Sequence, residues 1–167
     1  IIIGAGKTVN IQDGNVKTYA VTFNDTNSIF ELSGDVNTTT IVENAINPAN
    51  ATSQGSFTVG GAADRTIKAN FGTNTNAFNT FNLGGTGTNT FALENGAQYF
   101  KTLNFIGATS SASTFAAGAK ITNAVNFTAN NQVLTFGGDS ALAGGANFAG
   151  KASTLVLDSS DKNSTFT

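Results

Sequence analysis

The side chains best suited to acid–base catalysis are ten carboxylates: Asp13, Asp25, Asp35, Asp64, Asp139, Asp158 and Asp161, with Glu31, Glu43 and Glu94. Cleaving a polysaccharide would require two or more of them to converge across a groove, normally beside aromatic platforms for the sugar rings. Asp158 and Asp161 are close in sequence, but no other carboxylate aligns with them. Trp is absent, and Tyr19 and Tyr99 stand alone. The absence of His removes a Ser-His-Asp triad and His-ligated zinc. The absence of Cys removes thiol nucleophiles, thiolate metal sites and disulfides. These carboxylates read as charges that solvate corners. The chain reads as non-enzymatic, with no catalytic residue, no metal site and no cofactor.

Two other patterns carry a chemical suggestion. Residues 84–91, Gly-Gly-Thr-Gly-Thr-Asn-Thr-Phe, look like one unit of a calcium-binding nonapeptide roll. Asn89 stands where that roll places its anionic Asp ligand, and no second copy follows nine residues later, so a Gly-rich corner is the better reading. Asn24, Asn37, Asn50, Asn126 and Asn163 each open an Asn-X-Ser/Thr acceptor for glycosylation. Several such matches are expected by chance in a chain so rich in Asn and Thr.

The elements that must position these residues are constrained by composition. The 167 residues are enough for one domain with a sizeable core. Charged residues are 11%, against about 25% in ordinary globular chains. The net charge of −2 and a pI near 4.8 leave no footprint for nucleic acid. No apolar run approaches the roughly 20 residues of a membrane helix. The chain starts at Ile1 with no Met and no signal-like segment, which reads as a processed chain or an excised fragment. A hydrophobic content of 40% with few charges favours order over disorder.

A repeat organises the rest. Residues 96–105 align with residues 118–127 at an offset of 22, and residues 14–23 and 34–43 fit the same frame. Residues 81–83 and, loosely, 139–148 continue it. A second row precedes each glycine: residues 8–14 and 29–34, then 90–96, 114–118, 135–138 and 155–158. Both rows alternate apolar and polar residues, which is the period of a strand. The expectation is an all-β fold, a parallel β-helix or β-solenoid of roughly seven coils of about 22 residues. It spans residues 1–167 as a single repetitive domain, a rod on the order of 35 Å long. Phe23, Phe91, Phe105, Phe115, Phe127, Phe136 and Phe148 are expected to stack in its core. Asn82, Asn104, Asn126 and Asn147 form an outward column able to hydrogen-bond as a ladder. Residues 44–54, around Pro48, interrupt the frame and are expected to protrude as a loop; residues 137–145 are also irregular.

Residues 90–96 (Thr-Phe-Ala-Leu-Glu-Asn-Gly) and 118–127 (Gly-Ala-Lys-Ile-Thr-Asn-Ala-Val-Asn-Phe) resemble the strand, Gly turn and strand units of bacterial autotransporter passenger regions. The Phe-, Asn- and Thr-rich wording is most similar to the large surface autotransporters of rickettsia-like bacteria. The resemblance implies a right-handed parallel β-helix at the bacterial cell surface, outside the cell. It carries over no catalytic residue. The leading expectation is a non-enzymatic, surface-exposed stalk or adhesin-like passenger that meets a host-cell or surface receptor. The alternative is a self-assembling filament subunit or S-layer protein that associates with itself through its solenoid ends. A carbohydrate-active β-helix enzyme is the remote third reading.

Overall fold

The computed structural model describes residues 1–12, 14–52, 54–85, 88–92, 98–107, 111–115, 118–138, 140–157 and 165–166; side chains are described for all of these except 38, 88–92, 165 and 166. The described chain is all-β and alternates between two sheets. One sheet takes β1 (Ile2–Ile3), β3 (Val16–Phe23), β5 (Thr38–Pro48), β7 (Arg65–Phe71), β9 (Thr88–Ala92), β11 (Ala112–Phe115), β13 (Val133–Phe136) and β16 (Thr154–Leu157), in that spatial order. The other takes β2 (Thr8–Ile11), β4 (Ile29–Leu32), β6 (Ser56–Val59), β8 (Phe78–Leu83), β10 (Gln98–Phe105), β12 (Ala119–Phe127), β14 (Ala141–Leu142) and β17 (Thr165–Phe166), with β15 (Ala146–Asn147) also on β12. From β1 to β14 each strand pairs in parallel with the strand two places along the chain; toward the C-terminus β12 also pairs with β15, β13 with β16 and β14 with β17, each three places on. This is a β-solenoid of stacked coils of about 22 residues.

Alternation along each strand sends every second side chain inward, so stacking coils builds columns. In the second sheet one inner column runs Val9, Phe30, Phe57, Phe81, Leu103, Val125. The next runs Ile11, Leu32, Val59, Leu83, Phe105, Phe127. Facing them, the first sheet buries Ile67, Phe115 and Phe136, whose positions share one register column. Eleven phenylalanine side chains are less than 2% exposed. Their burial, at roughly 25 cal/mol per Å2 of apolar surface, is the largest favourable contribution to the fold.

Three expectations require correction. The Phe residues taken as one stack occupy two facing sheets. Phe105 and Phe127 lie parallel in the second sheet, with ring centroids 5.8 Å apart, and Phe148 continues that stack at 4.7 Å. Phe115 and Phe136 belong to the first sheet, 5.5 Å apart. Phe23 is also in the first sheet, far along the stack, where its ring edge meets Phe78 at 5.1 Å. The side chain of Phe91 lies outside the described residues. Phe30, Phe57, Phe71, Phe78, Phe81 and Phe100 are as fully buried and belong in the core beside them.

The second correction concerns phase. Residues 14–23 and 34–43 share a frame with residues 96–105 and 118–127, yet the first pair falls in the first sheet and the second pair in the second. The repeat slips by half a coil between them. Third, residues 44–48 are strand, not loop. β5 continues to Pro48, which sits buried opposite Phe23, and the chain turns only beyond it. Proline's missing N–H is harmless there, at a strand end, and Ala49 N–H makes the next bond to Phe23 O at 2.8 Å.

One corner explains the glycines. A Cβ on Gly61 would lie 2.0 Å from Gly34 O, and one on Gly85 would lie 1.8 Å from Gly61 O. Both residues also have φ near +80°, so successive coils close there only on glycine.

Candidate functional site

Polar side chains with a defined geometry occur in three places. The longest is the outward column of the second sheet. Asn10, Glu31, Thr58, Asn82, Asn104, Asn126 and Asn147 stand opposite one another in consecutive strands. Asn147 Nδ2 donates to Asn126 Oδ1 at 3.4 Å, Asn126 Nδ2 to Asn104 Oδ1 at 2.9 Å, and Asn104 Nδ2 to Asn82 Oδ1 at 3.1 Å. Asn82 Nδ2 then donates to Thr58 Oγ1 at 3.3 Å. These four amides each point their donor toward the N-terminal side, so their bonds share one direction and polarise one another. At the far end Asn10 Nδ2 donates to Glu31 Oε2 at 3.2 Å. Glu31 and Thr58 extend the register of the four amides to the first coil, and no sequence signal marks them because they differ in type from the rest.

The second place is the corner between the second sheet and the next strand of the first. Arg65 is 2% exposed and points inward. Its Nη2 donates to Gly34 O at 2.9 Å and its Nε to Gly60 O at 3.3 Å. Ser111 Oγ donates to Gly85 O at 2.6 Å, and Gln132 Nε2 to Gly107 O at 2.9 Å. Each polar side chain satisfies carbonyls that the tight corner turns away from the sheet ladders.

The third place is the outer face of the first sheet, where Lys17 Nζ pairs with Glu43 Oε1 at 2.7 Å. The hydrogen bond that Lys17 donates to Glu43, followed by the charge of Glu43, raises the Lys17 pKa above the usual 10.5.

The carboxylates are dispersed. Asp25 accepts a bond from Asn27 N–H at 2.8 Å and Asp35 one from Ala62 N–H at 3.3 Å, both in corners. Glu31 and Glu43 lie on outer faces of different sheets. Asp13, Asp139, Asp158, Asp161 and Glu94 lie outside the described residues, as do Thr86 and Gly87 of the Gly-rich stretch considered for calcium and the side chains of residues 88–91. Among the described residues no three carboxylates group to hold a metal ion. Of the acceptor asparagines, Asn126 is engaged in the ladder, and Asn163 lies outside the described residues.

No family model matches the chain, and neither a curated protein nor a solved structure does. Its chemistry is therefore argued from its own geometry. What that geometry offers is cross-linking of neighbouring coils by amides on the outside, by corner donors on the inside and by stacked rings between.

Proposed function

We propose that this chain is a non-enzymatic structural segment of a bacterial cell-surface protein, a rigid stalk or adhesin-like passenger of the autotransporter kind that holds its loops away from the cell. One observation supports this most: parallel pairing continues from coil to coil in both sheets, and an amide ladder ties the later coils on the outside. Strands pair only with those of the adjacent coils, so coils add length along one axis. An exterior of Asn and Thr with few charges suits a display surface that avoids strong electrostatic attraction.

Negative-stain microscopy and small-angle scattering of the purified chain test the shape, with short rods on the order of 35 Å expected. Protease treatment of intact source cells tests the location. The chain is expected to be cleaved without lysis, and full protection would overturn the surface assignment.

A second reading, end-to-end self-assembly, is favoured by one observation. Ile2 is 73% exposed on β1, and Val156 and Leu157 are 37% and 38% exposed on β16, at opposite edges of the same sheet. Unpaired edges with apolar side chains invite another strand. Fibres of uniform width that disappear in Ile2→Lys would establish this reading over the first.

A further inference from the structure

The extra residues that displaced the expected loop also shape the outer face of the first sheet. Glu43 and Asn44 of β5 stand opposite the single residue Tyr19 of β3, between the register pairs Thr18–Val42 and Ala20–Ala45. On the other side, Val42, Glu43 and Asn44 stand opposite the single residue Ala69 of β7, between Ile41–Lys68 and Ala45–Asn70. A strand with surplus residues against both neighbours must buckle and re-aim its side chains. Here it opens a recess of about 280 Å3. Ile41 and Ala69 line its floor, and Lys17, Glu43, Lys68 and Asn70 supply its polar groups.

The recess has an unbalanced chemistry. Glu43 is paired with Lys17, whereas Lys68, exposed across the recess, has no ion-pair partner among the described residues. Among the described residues the site therefore holds two cations and one anion and can accept one more negative charge. Asn70 donates through Nδ2 to Asn44 O at 3.2 Å, while its Oδ1 is buried with no donor among the described residues. A shielded amide oxygen without a donor is unusual and costly. Two residues from Lys17 on the same face, about 6.6 Å along the strand, Tyr19 stands 70% exposed, although the phenylalanines that fill the core are hidden. A free aromatic ring beside a small polar recess offers an apolar platform with a polar tip.

We infer that this recess binds a single carboxylate-bearing sugar residue of a glycan. Its carboxylate meets Lys68, its hydroxyls bond to Glu43 at the rim, and the apolar face of its ring rests on Tyr19. The volume suits one sugar ring rather than a longer saccharide, being at the small end of ligand sites. No bond is made or broken; the site recognises and does not react. The inference does not require the rod to be a surface stalk, since binding and shape are read by separate experiments.

The test is a two-dimensional amide NMR titration of the whole chain with methyl β-glucuronide, methyl β-glucoside and inorganic phosphate in parallel. The glucuronide is expected to shift amides of β3, β5 and β7 around Tyr19, Glu43 and Lys68, with millimolar affinity. The glucoside should bind about tenfold more weakly, the loss of one charge-assisted hydrogen bond. Lys68→Gln should abolish that preference without changing the melting temperature. Tyr19→Ala should weaken both sugars about threefold, a modest loss for one ring contact. Equal affinity for glucuronide and glucoside would overturn the inference. So would phosphate binding as well as glucuronide, which would make the recess a plain anion site, or shifts that map away from these three strands. An unaltered preference in Lys68→Gln would do the same.

Discussion

Before Phe71 the long strands lie in the first sheet, with β3 of 8 residues and β5 of 11 facing β2, β4 and β6 of 4 each. After Phe78 the long strands lie in the second sheet, with β10 of 8 and β12 of 9 facing β11 and β13 of 4 each. The two halves also differ in step. Phe30 stands opposite Phe57 and Thr38 opposite Arg65, 27 residues on, whereas Leu103 stands opposite Val125 at 22 and Ala112 opposite Val133 at 21. Where the step is near constant, identical residues fall in register and an amide ladder forms. Where it varies, the same column holds Asn10, Glu31 and Thr58, and the surplus chain becomes bulges. Regularity of the step decides whether a column can repeat one side chain, and irregularity is what makes a recess.

Between the halves, the hand-over of long strands is filled by rings. Phe81 touches Phe57 at 4.8 Å, Phe71 at 5.6 Å, Phe100 at 4.6 Å and Phe115 at 5.6 Å, bridging both sheets and both halves. Phe81→Ala is therefore expected to give the largest loss, about 3–5 kcal/mol in urea denaturation. Phe148→Ala, at a half-buried ring stacked on Phe127, should cost less than about half as much. Equal losses would break the view that the hand-over is the keystone. The glycine corner, by contrast, crosses from one half to the other unchanged. Gly85→Ala combines a backbone clash with positive φ and should cost about 3 kcal/mol. Gly6→Ala, with similar φ and open space, should cost about 1 kcal/mol by the same assay. A ratio near one would mean that conformation, not close approach, selects glycine at the corner.

The same contrast explains what could be read from the sequence. The strand alternation and the coil length were legible because residues 96–127 repeat with nearly constant step, so Leu103, Asn104 and Phe105 recur as Val125, Asn126 and Phe127. The half-coil slip was not legible. Both sheets use the same apolar–polar–apolar wording, and a glycine follows a strand in either one, so residues 14–23 match residues 96–105 without sharing a sheet. Pro48 suggested a break because proline lacks an N–H, but a strand end does not need one. Arg65 gave no sign of an inward role, since an arginine's preference for solvent is overridden only by corner carbonyls that folding brings to it. The recess arose from an insertion mismatch between three strands, a property of register that no single stretch contains.

The ladder sharpens the comparison at lower energy. Asn104→Ala removes the bonds to both Asn82 and Asn126 and leaves their half-buried polar atoms unpaired, for an expected loss of about 1–3 kcal/mol. Asn10→Ala, at the exposed and mixed end of the column, should cost under about 0.5 kcal/mol. Similar values at both sites would show that uniform stacking adds nothing to a single amide bond. A thermal-melt series with both variants and the double variant resolves this, because sites so far apart should otherwise add.

The smallest effect belongs to the bulged half alone. Lys17 and Glu43 are largely exposed, so their pair is a weak contributor, but it has a pH signature. Because folding raises the Lys17 pKa above 10.5, the pair's contribution is fully present below that value and is lost as pH rises through the folded pKa. The difference in melting temperature between the parent chain and Lys17→Ala is therefore expected to be small and constant at neutral pH and below 10.5, and to shrink as pH rises through the raised Lys17 pKa. Salt at about 1 M should shrink it at neutral pH as well, since exposed charges are screened. A difference that persists at high pH would assign the effect of Lys17 to its apolar stem instead of its charge. That result would separate the two contributions of a lysine at the rim of the recess, and would leave the loss of the neighbouring Lys68 charge as the cleaner probe of electrostatics there.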